Sequence, residues 1–401
     1  MSAVIALQSP PPHLPPEIWL KIFRIATFIP LEIDFSTTTF ERGLFCSYDE
    51  YQAQEFEKVL PTRRTIVQVS RRFYQIGAEV LYTTFHANAA RINNSDQRCL
   101  LFSRLLVSRP ELGQFIKRLS LDASANEERN YRIITHCPNV MIFSSFLHRG
   151  PVGVVPWWSR GLPKTIRSFD ASVSDVPLKD ILTLLETLPH LEVLHLYGVP
   201  RNSTENAPIC FPALRMLSIY FGDLFNDHTE FHLPILSTMQ LPRLTALTTN
   251  ESVVDVQRSF RLDVWRRLEY FKPVYLSYLE LRPDYFPNLR RLHLVVYGDS
   301  FERCLRCFPF HQLESLTFRV DPPSFRDTWK GTIERVVGLP LDVKAMPRLN
   351  LFQLEWLSIG TYEGHNTSLN RDQFIQYVGT VVTSFAQRGV LFVQGDLPRR
   401  W

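Results

Sequence analysis

One short phrase of apolar and polar positions recurs along the C-terminal three-quarters of the chain. Six segments align without gaps, and each reads as a large apolar residue, usually Pro, and then x-L-x-x-L-x-L/I or a close variant. The aligned segments are 188–196, 211–219, 241–249, 286–294, 310–318 and 351–359. Looser copies lie upstream, at 114–122, 137–146 and 162–172. The recurrence predicts a repeated structural unit over residues 91–401.

The spacing of the phrase indicates which unit this is. The central apolar positions from Leu119 to Leu247 are 24, 26, 25, 23 and 30 residues apart, and the later ones are Leu292, Leu316 and Leu357. The gaps of 45 residues before Leu292 and 41 after Leu316 each leave room for one degenerate repeat. A period near 25 residues with L-x-x-L-x-L is typical of leucine-rich repeats.

Each unit should contain a strand and, in several cases, a helix. The L-x-L portion predicts a short strand whose alternate side chains face opposite sides, and segments such as 178–190 carry apolar residues at helical spacing. One coil cannot bury its own apolar face, so neighbouring coils must stack. We therefore expect an α/β fold, an irregular leucine-rich-repeat-like solenoid with a parallel sheet on its concave face. The alternative is an ordinary α/β domain in which the phrase recurs by chance.

The outward positions of the predicted strands form the candidate substrate-binding surface. In a stacked parallel sheet these positions make one continuous face. Here they hold aromatic residues and Arg, which are enriched at interface hot spots, so we expect them to bind a protein. The arginines would also suit an acidic partner. In the alternative, loops of the chain itself cover part of this face. The candidate residues are His195, Tyr197, Tyr220, Arg291, His293, Arg319 and Trp356.

An amphipathic helix is predicted at the N-terminus, over residues 14–27, after a tail at 1–13 that we expect to be disordered. Prolines and Glu17 suit its first turn. Its apolar residues form two adjacent stripes, which together are wider than one face of a three-helix module requires. The surplus favours a partner-binding face, although both stripes could also be core. The first stripe is Ile18, Ile22 and Ile25, and the second is Trp19, Phe23 and Ala26.

A second helical region is predicted over residues 62–82. Thr62 and Ser70 are plausible N-caps, so this region could be two helices. Four arginines, Arg63, Arg64, Arg71 and Arg72, lie off its apolar stripe and are interpreted as a solvated face. Residues 28–60, between the two regions, are expected to form a surface insert with a short helix at 49–60.

These N-terminal residues resemble a known motif. L-P-P-E-I-W-x-x-I-F-x-x-A, an insert, and then I-x-x-V-S-x-x-F-Y-x-I-x-x-x-x-L-Y is similar to the F-box of a large fungal F-box-like family. The resemblance implies a three-helix F-box module at 14–90, with its insert at 28–60, that binds the Skp-type adaptor of cullin–RING ubiquitin ligases. It also implies that the repeats hold a protein substrate. The positions that match the adaptor-contacting motif are Leu14, Pro15, Ile18, Ile22, Phe23, Val69 and Phe73.

Composition and missing motifs narrow the function further. The formal charge of +4 over 401 residues gives no reason to expect a nucleic-acid partner. No stretch approaches the roughly 18 apolar residues of a membrane span, and six irregularly spaced cysteines fit a reducing compartment, so we expect a cytoplasmic or nuclear protein. No phosphate-binding, dinucleotide-binding, metalloprotease or hydrolase motif is present. The pair Cys304 and Cys307 has no second pair at zinc spacing.

The sequence therefore predicts a protein that is not an enzyme and needs no cofactor or metal. The principal hypothesis is the substrate-receptor subunit of an SCF-type ubiquitin ligase, with the adaptor on the F-box and a substrate on the repeats. The alternative is a non-catalytic leucine-rich-repeat scaffold whose F-box-like helices only cap the solenoid, because an open repeat end exposes its core.

Overall fold

The protein was analysed as a computed structural model, in which the described residues fall into two compact units, Met1–Ala171 and Ser172–Trp401. The residues described are 14–29, 48–87, 95–122, 126–146, 158, 161–172, 178–197, 208–220, 238–249, 260–273, 283–296, 310–320, 347–356, 383, 386–387 and 391–394.

Three helices lie among the described residues at the start of the first unit. They are α1 (Pro16–Ala26), α2 (Tyr48–Val69) and α3 (Arg71–Tyr82). Proline in the first turn of α1 costs no hydrogen bond, because the first backbone donors of a helix have no partner within it. Ser70 separates α2 from α3, and its hydroxyl accepts a hydrogen bond from the Phe73 backbone N–H at 3.1 Å. The expectation of two helices with Ser70 as an N-cap is confirmed.

The insert differs from its prediction. The expected short helix at 49–60 and the expected start at Thr62 belong to one helix, α2, which contains Pro61. Phe56 and Leu60 are buried in a small core with Ile29, so this part of the insert is not a surface excursion. Because tertiary packing supplies most of a helix's stability, buried contacts on both sides of the proline can outweigh the backbone hydrogen bond that it removes.

Four parallel strands follow in the first unit, in chain order. They are β1 (Thr84–His86), β2 (Arg118–Asp122), β3 (Ile142–Phe146) and β4 (Ser168–Ser172). Helices α4 (Ser95–Ser108) and α5 (Glu127–Thr135) lie between them in the chain, and a 3₁₀ turn at Pro110–Phe115 precedes β2. The central residues Phe85, Leu119, Phe143 and Phe169 are in register. The sequence analysis identified the last three and missed β1.

The second unit carries the same pattern further. The helices among its described residues are α6 (Leu178–Glu186) and α7 (Leu262–Arg267). Its strands pair in parallel and in chain order. They are β5 (Val193–Tyr197), β6 (Met216–Tyr220), β7 (Ala246–Thr249), β8 (Tyr270–Pro273), β9 (Arg291–Val296), β10 (Ser315–Val320), β11 (Leu351–Trp356) and β12 (Leu391–Gln394). The predicted mixed α/β class with a parallel sheet is confirmed.

The register of the second unit tests the predicted central positions. Leu194, Leu217 and Leu247 share one row, as do Leu292 and Leu316. The 45-residue gap before Leu292 holds strand β8, whose Phe271 pairs with both Leu247 and Leu292. Strand β8 thus occupies the place that the sequence analysis left for one degenerate repeat, with Phe at its central position.

The last aligned phrase was assigned to the wrong register. Leu357 was the expected central residue, but Leu316 pairs with Phe352, five residues earlier. The matching phrase is 346–354, in which Pro347 takes the position of the earlier prolines and Leu349 is buried. Several apolar residues between 349 and 357 satisfy both alignments, so only pairing with β10 distinguishes them.

Candidate functional site

The outer side of α1 is an exposed apolar surface. Ile18, Ile22, Ile25 and Phe28 form this Ile18 face and are 43%, 40%, 68% and 68% exposed. At the end of α2, Val69 is 62% exposed. Large apolar residues grouped on one side of a short helix are a common sign of a partner-binding surface.

Two members of the second apolar stripe of α1, Trp19 and Phe23, pack against α3, while the third, Ala26, is exposed. The Phe23 ring lies 5.9 Å from the Trp19 ring and 5.1 Å from the Phe73 ring, and Trp19 and Phe73 are 4.8 Å apart between ring centroids. Phe23 is only 3% exposed. The structure therefore places Phe23 in the core of the first unit, where the Phe73 ring of α3 packs against it, and its role as an adaptor contact stays a prediction.

The other six predicted adaptor residues remain at least partly accessible. Leu14 and Phe73 are half-buried, while the remaining four are exposed: Pro15, Ile18, Ile22 and Val69. The sequence analysis predicted a surplus of apolar surface on α1 but could not tell which stripe stays outside, because both are equally apolar.

Polar contacts along the whole length of α1 hold the Ile18 face in place. Arg72 donates to the carbonyl oxygen of Leu14 at 3.1 Å, and Arg24 of α1 forms an ion pair with Glu79 at 2.5 Å. At the other end, Arg63 Nη2 donates to the Thr27 carbonyl at 3.2 Å. The α1 helix is thus presented on a fixed support.

The prediction that the four arginines of residues 62–82 form a solvated face is wrong for Arg63. Arg63 is buried, and its guanidinium lies 5.6 Å from the centroid of the Phe56 ring. It binds a carbonyl at the end of α1, where backbone acceptors have no partner within the helix. A pattern of polar positions on one helix does not show that a neighbouring helix end lies above them.

The strand face predicted to bind substrate is polar but buried. We call the position that follows the central residue of each strand the polar row. His195 and His293, which were expected to be exposed, are 8% and 1% exposed. Their exposure was predicted wrongly, because the sequence shows which way a strand residue points but not what lies above it. In the second unit the buried members of the polar row are His195, Ser218, Thr248, Lys272, His293 and Thr317.

The remaining predicted substrate residues have mixed outcomes. Tyr197 and Arg291 are half-buried. Tyr220 is in register with Tyr197, and Arg319 lies in the matching position of β10. Trp356 pairs with Val320, four residues after Phe352, and therefore belongs to the row of the central residues and not to the predicted face. That error follows directly from the misplaced Leu357.

The first unit has a polar row of its own, with His86, Ser120, Ser144 and Asp170 in register and buried. Burial lowers the pKa of His86 well below its usual value, and the guanidinium of Arg118, which is also buried, lowers it further. The imidazole is therefore neutral at physiological pH. Asp170 is the acidic member of this polar row.

The polar row should make stability depend on pH. Burial lowers the pKa of His195 from 6.5 to about 4, so between these values the unfolded chain binds a proton that the folded protein does not. The contribution of the neutral, buried His195 to the free energy of unfolding is present above pH 6.5 and is lost as the pH falls toward 4. When the pH is lowered from 7.5 to 5, we expect the free energy of unfolding to fall by about 2 kcal/mol less in His195→Gln than in the wild type.

Urea unfolding of both proteins at the two pH values measures this difference. Since His86 is present in both, its titration cancels in the comparison. Equal losses in the wild type and the variant would contradict the assigned burial of His195.

Few other reactive groups stand out in the described part of the chain. Cys137 is buried, and burial raises the pKa of its thiol to about 12, so the thiol stays protonated. No cluster of three or more metal-ligating side chains occurs among the described residues. Cys304 and Cys307 lie outside them. No described helix combines the length and hydropathy needed to cross a bilayer.

No protein-family model matches the chain, and a search of the curated proteins finds no match.

Proposed function

We propose that the protein is a non-catalytic substrate receptor of an SCF-type ubiquitin ligase. In this proposal residues 14–90 are an F-box that binds the Skp-type adaptor, and residues 91–401 are an irregular leucine-rich-repeat-like solenoid that binds a protein substrate. The observation that carries the proposal is the Ile18 face, an apolar surface left open on a helix that is otherwise firmly attached.

The energetics of this surface favour a partner. Each large aliphatic or aromatic side chain that becomes fully buried contributes about 1.5–3 kcal/mol. The Ile18 face offers four such side chains within eleven residues of chain, from Ile18 to Phe28. An amphipathic helix that lays its apolar face into a groove of its partner is a common mode of recognition. The same stripe contains Ile18 and Ile22, which match the adaptor-contacting positions of the F-box motif.

The parallel strands support the repeat part of the proposal. Strands in chain order, with equivalent apolar residues in register, are what stacked coils produce. The turn before each strand recurs as well: the N–H groups of Leu214, Leu244, Leu289 and Leu313 each bond a carbonyl three residues earlier.

A second candidate function is a scaffold in which the three helices only cap the first strands. The direct attachment of α3 to the sheet favours it, because the carbonyl of Thr83, at the end of α3, accepts hydrogen bonds from the backbone N–H groups of Lys117 and Arg118 at 2.8 and 3.1 Å. In this case the Ile18 face would have no adaptor to bind.

A double substitution on the Ile18 face distinguishes the two candidates. In co-precipitation with purified Skp-type adaptor, Ile18→Asp with Ile22→Asp should weaken binding by about tenfold or more, because an unpaired carboxylate would be buried in an apolar interface. Both side chains are exposed, so the melting temperature should stay within a few degrees of the wild type.

Leu101→Asp with Val107→Asp is the matched control. Both residues are exposed and lie on α4, away from α1 in the chain, so this variant should retain adaptor binding. Equal binding by all three proteins would rule out the Ile18 face, and a wild type that fails to bind the adaptor would favour the scaffold.

A further inference from the structure

A groove opens along the turns that lead into strands β7 to β10 of the second unit. Its volume is about 290 Å³. Thr245, Glu269 and Arg290 each immediately precede a strand, Arg267 ends α7, and the other lining residues lie in the turns before β7, β9 and β10. We call it the turn groove; the residues that matter for its chemistry are Arg243, Thr245, Arg267, Glu269, Arg290 and Gln312.

The repeated turn brings these side chains together. Leu244, Leu268, Leu289 and Leu313 donate equivalent backbone hydrogen bonds, at 3.2–3.3 Å, to carbonyls three residues earlier. Arg243, Arg267 and Gln312 hold the same position in three of these turns. Neighbouring parallel strands are about 4.8 Å apart, so four successive turns span about 14 Å. The groove thus has the length of a short peptide rather than of a single small ion.

Positive charge dominates its lining. Three arginines face one acid, Glu269. Arg267 is held by Asp263 at 3.0 Å and by the Leu241 carbonyl at 3.0 Å, and Arg290 lies 4.0 Å from Glu314. Arg243 is exposed and forms no hydrogen bond or ion pair with any residue that the structure describes. Part of the cationic surface is therefore pre-organised, and part is free to pair with a ligand.

We propose that the turn groove binds an acidic segment of a partner protein. Guanidinium groups pair with carboxylates through two parallel N–H···O bonds, and arginine is the cation best suited to this recognition. An extended peptide rises about 3.3 Å per residue, so about five residues cover the four turns, and because successive side chains point to opposite faces, alternate residues place their carboxylates against the arginines of the groove. Gln312 adds a polar contact at one end. The inference concerns the second unit alone and does not rest on adaptor binding.

Fluorescence anisotropy with the full chain tests this site. The probe is a fluorescein-labelled peptide with four consecutive glutamates, and the comparison peptide has four glutamines in their place. We expect the glutamate peptide to bind at least about tenfold more tightly at low salt and to weaken as salt rises, since exposed ion pairs are screened. Arg243→Gln should weaken it about three- to tenfold without lowering the melting temperature, because Arg243 contacts no described partner.

Arg348→Gln is the matched control. Arg348 has the equivalent turn position before β11 and is exposed, but it does not line the groove. Its substitution should leave binding unchanged. Equal binding of the two peptides would overturn the proposal, as would an equal effect of Arg243→Gln and Arg348→Gln, which would indicate only diffuse attraction. Tight binding of a phosphoserine peptide with no binding of the glutamate peptide would overturn the carboxylate assignment.

Discussion

Replacing Trp265 by Ala is expected to destabilise the second unit by about 4 kcal/mol. The indole is fully buried in α7. Its ring lies 6.0, 5.6 and 5.4 Å from those of Phe260, Phe271 and Phe286, all near-perpendicular. Edge-to-face pairs of this kind contribute beyond the area that they bury. The substitution would leave a cavity bounded by rings from a turn, a strand and the next turn.

The position of Trp265 in the chain makes the loss large. Helix α7 has only six residues, too few to be stable without tertiary contacts. Trp265 and Val264 are its buried residues. Without the indole, the helix loses most of what attaches it to β8 and β9. Arg267 is the last residue of this helix, so the turn groove should lose order as well.

Urea unfolding followed by far-ultraviolet circular dichroism measures this effect. Leu262→Ala, in the same helix but 45% exposed, should cost less than about 1 kcal/mol. Similar unfolding midpoints for the two variants would show that the aromatic cluster does not stabilise the unit.

Replacing Gly113 by Ala is expected to destabilise the first unit by about 3 kcal/mol. A Cβ atom at this position would lie 1.9 Å from the carbonyl oxygen of His136 and 2.9 Å from its carbonyl carbon. Both are backbone atoms, so no side-chain rotation relieves the overlap. The 3₁₀ turn that contains Gly113 would have to move away from the end of α5.

Gly77→Ala provides the comparison within the same unit. There the nearest atoms would be side-chain carbons of Ile66 and Val67, at 3.1 and 3.3 Å. A helical alanine also gains about 1 kcal/mol in intrinsic propensity over glycine, so the net change should stay within about 1 kcal/mol. Thermal unfolding of both variants decides the matter: a Gly113→Ala protein as stable as Gly77→Ala would contradict the close approach of turn and helix.

In the second unit the polar row is buried, whereas Arg243 of the turn groove is exposed to solvent. Positions directly after the central residues hold buried His195 and Lys272, while positions before the strands hold exposed Arg243. A ligand in solution can reach the second set without any rearrangement. This is why acidic-segment binding is assigned to the turns rather than to the strand face that the sequence favoured.

Much of the fold could be predicted because it depends on local patterns. Alternating apolar residues at a period near 25 indicated parallel strands centred on Leu194, Leu217 and Leu316, and the register agrees. The break between α2 and α3 followed from Ser70, whose side chain caps the next helix through a contact only three residues away. Such features need no knowledge of distant parts of the chain.

The predictions were wrong where the local sequence fits two structures equally well. The residues around β11 fit two registers, and only hydrogen bonding to β10 selected Phe352 over Leu357. Likewise, Ile22 and Phe23 are adjacent and both apolar. The ring of Phe73, fifty residues away in the chain, makes Phe23 a core residue and leaves Ile22 at the surface.

The sequence alone therefore determined the strands centred on residues such as Leu194 and Leu217, the Ser70 cap of α3 and the apolar stripes that had to be buried or bound. Tertiary structure alone decided which stripe faces outward, which polar residues lie under cover and which arginines meet in a groove. The physical reason is range. Periodicity and capping act over a few residues, whereas exposure and charge clustering depend on segments that only the folded chain brings together.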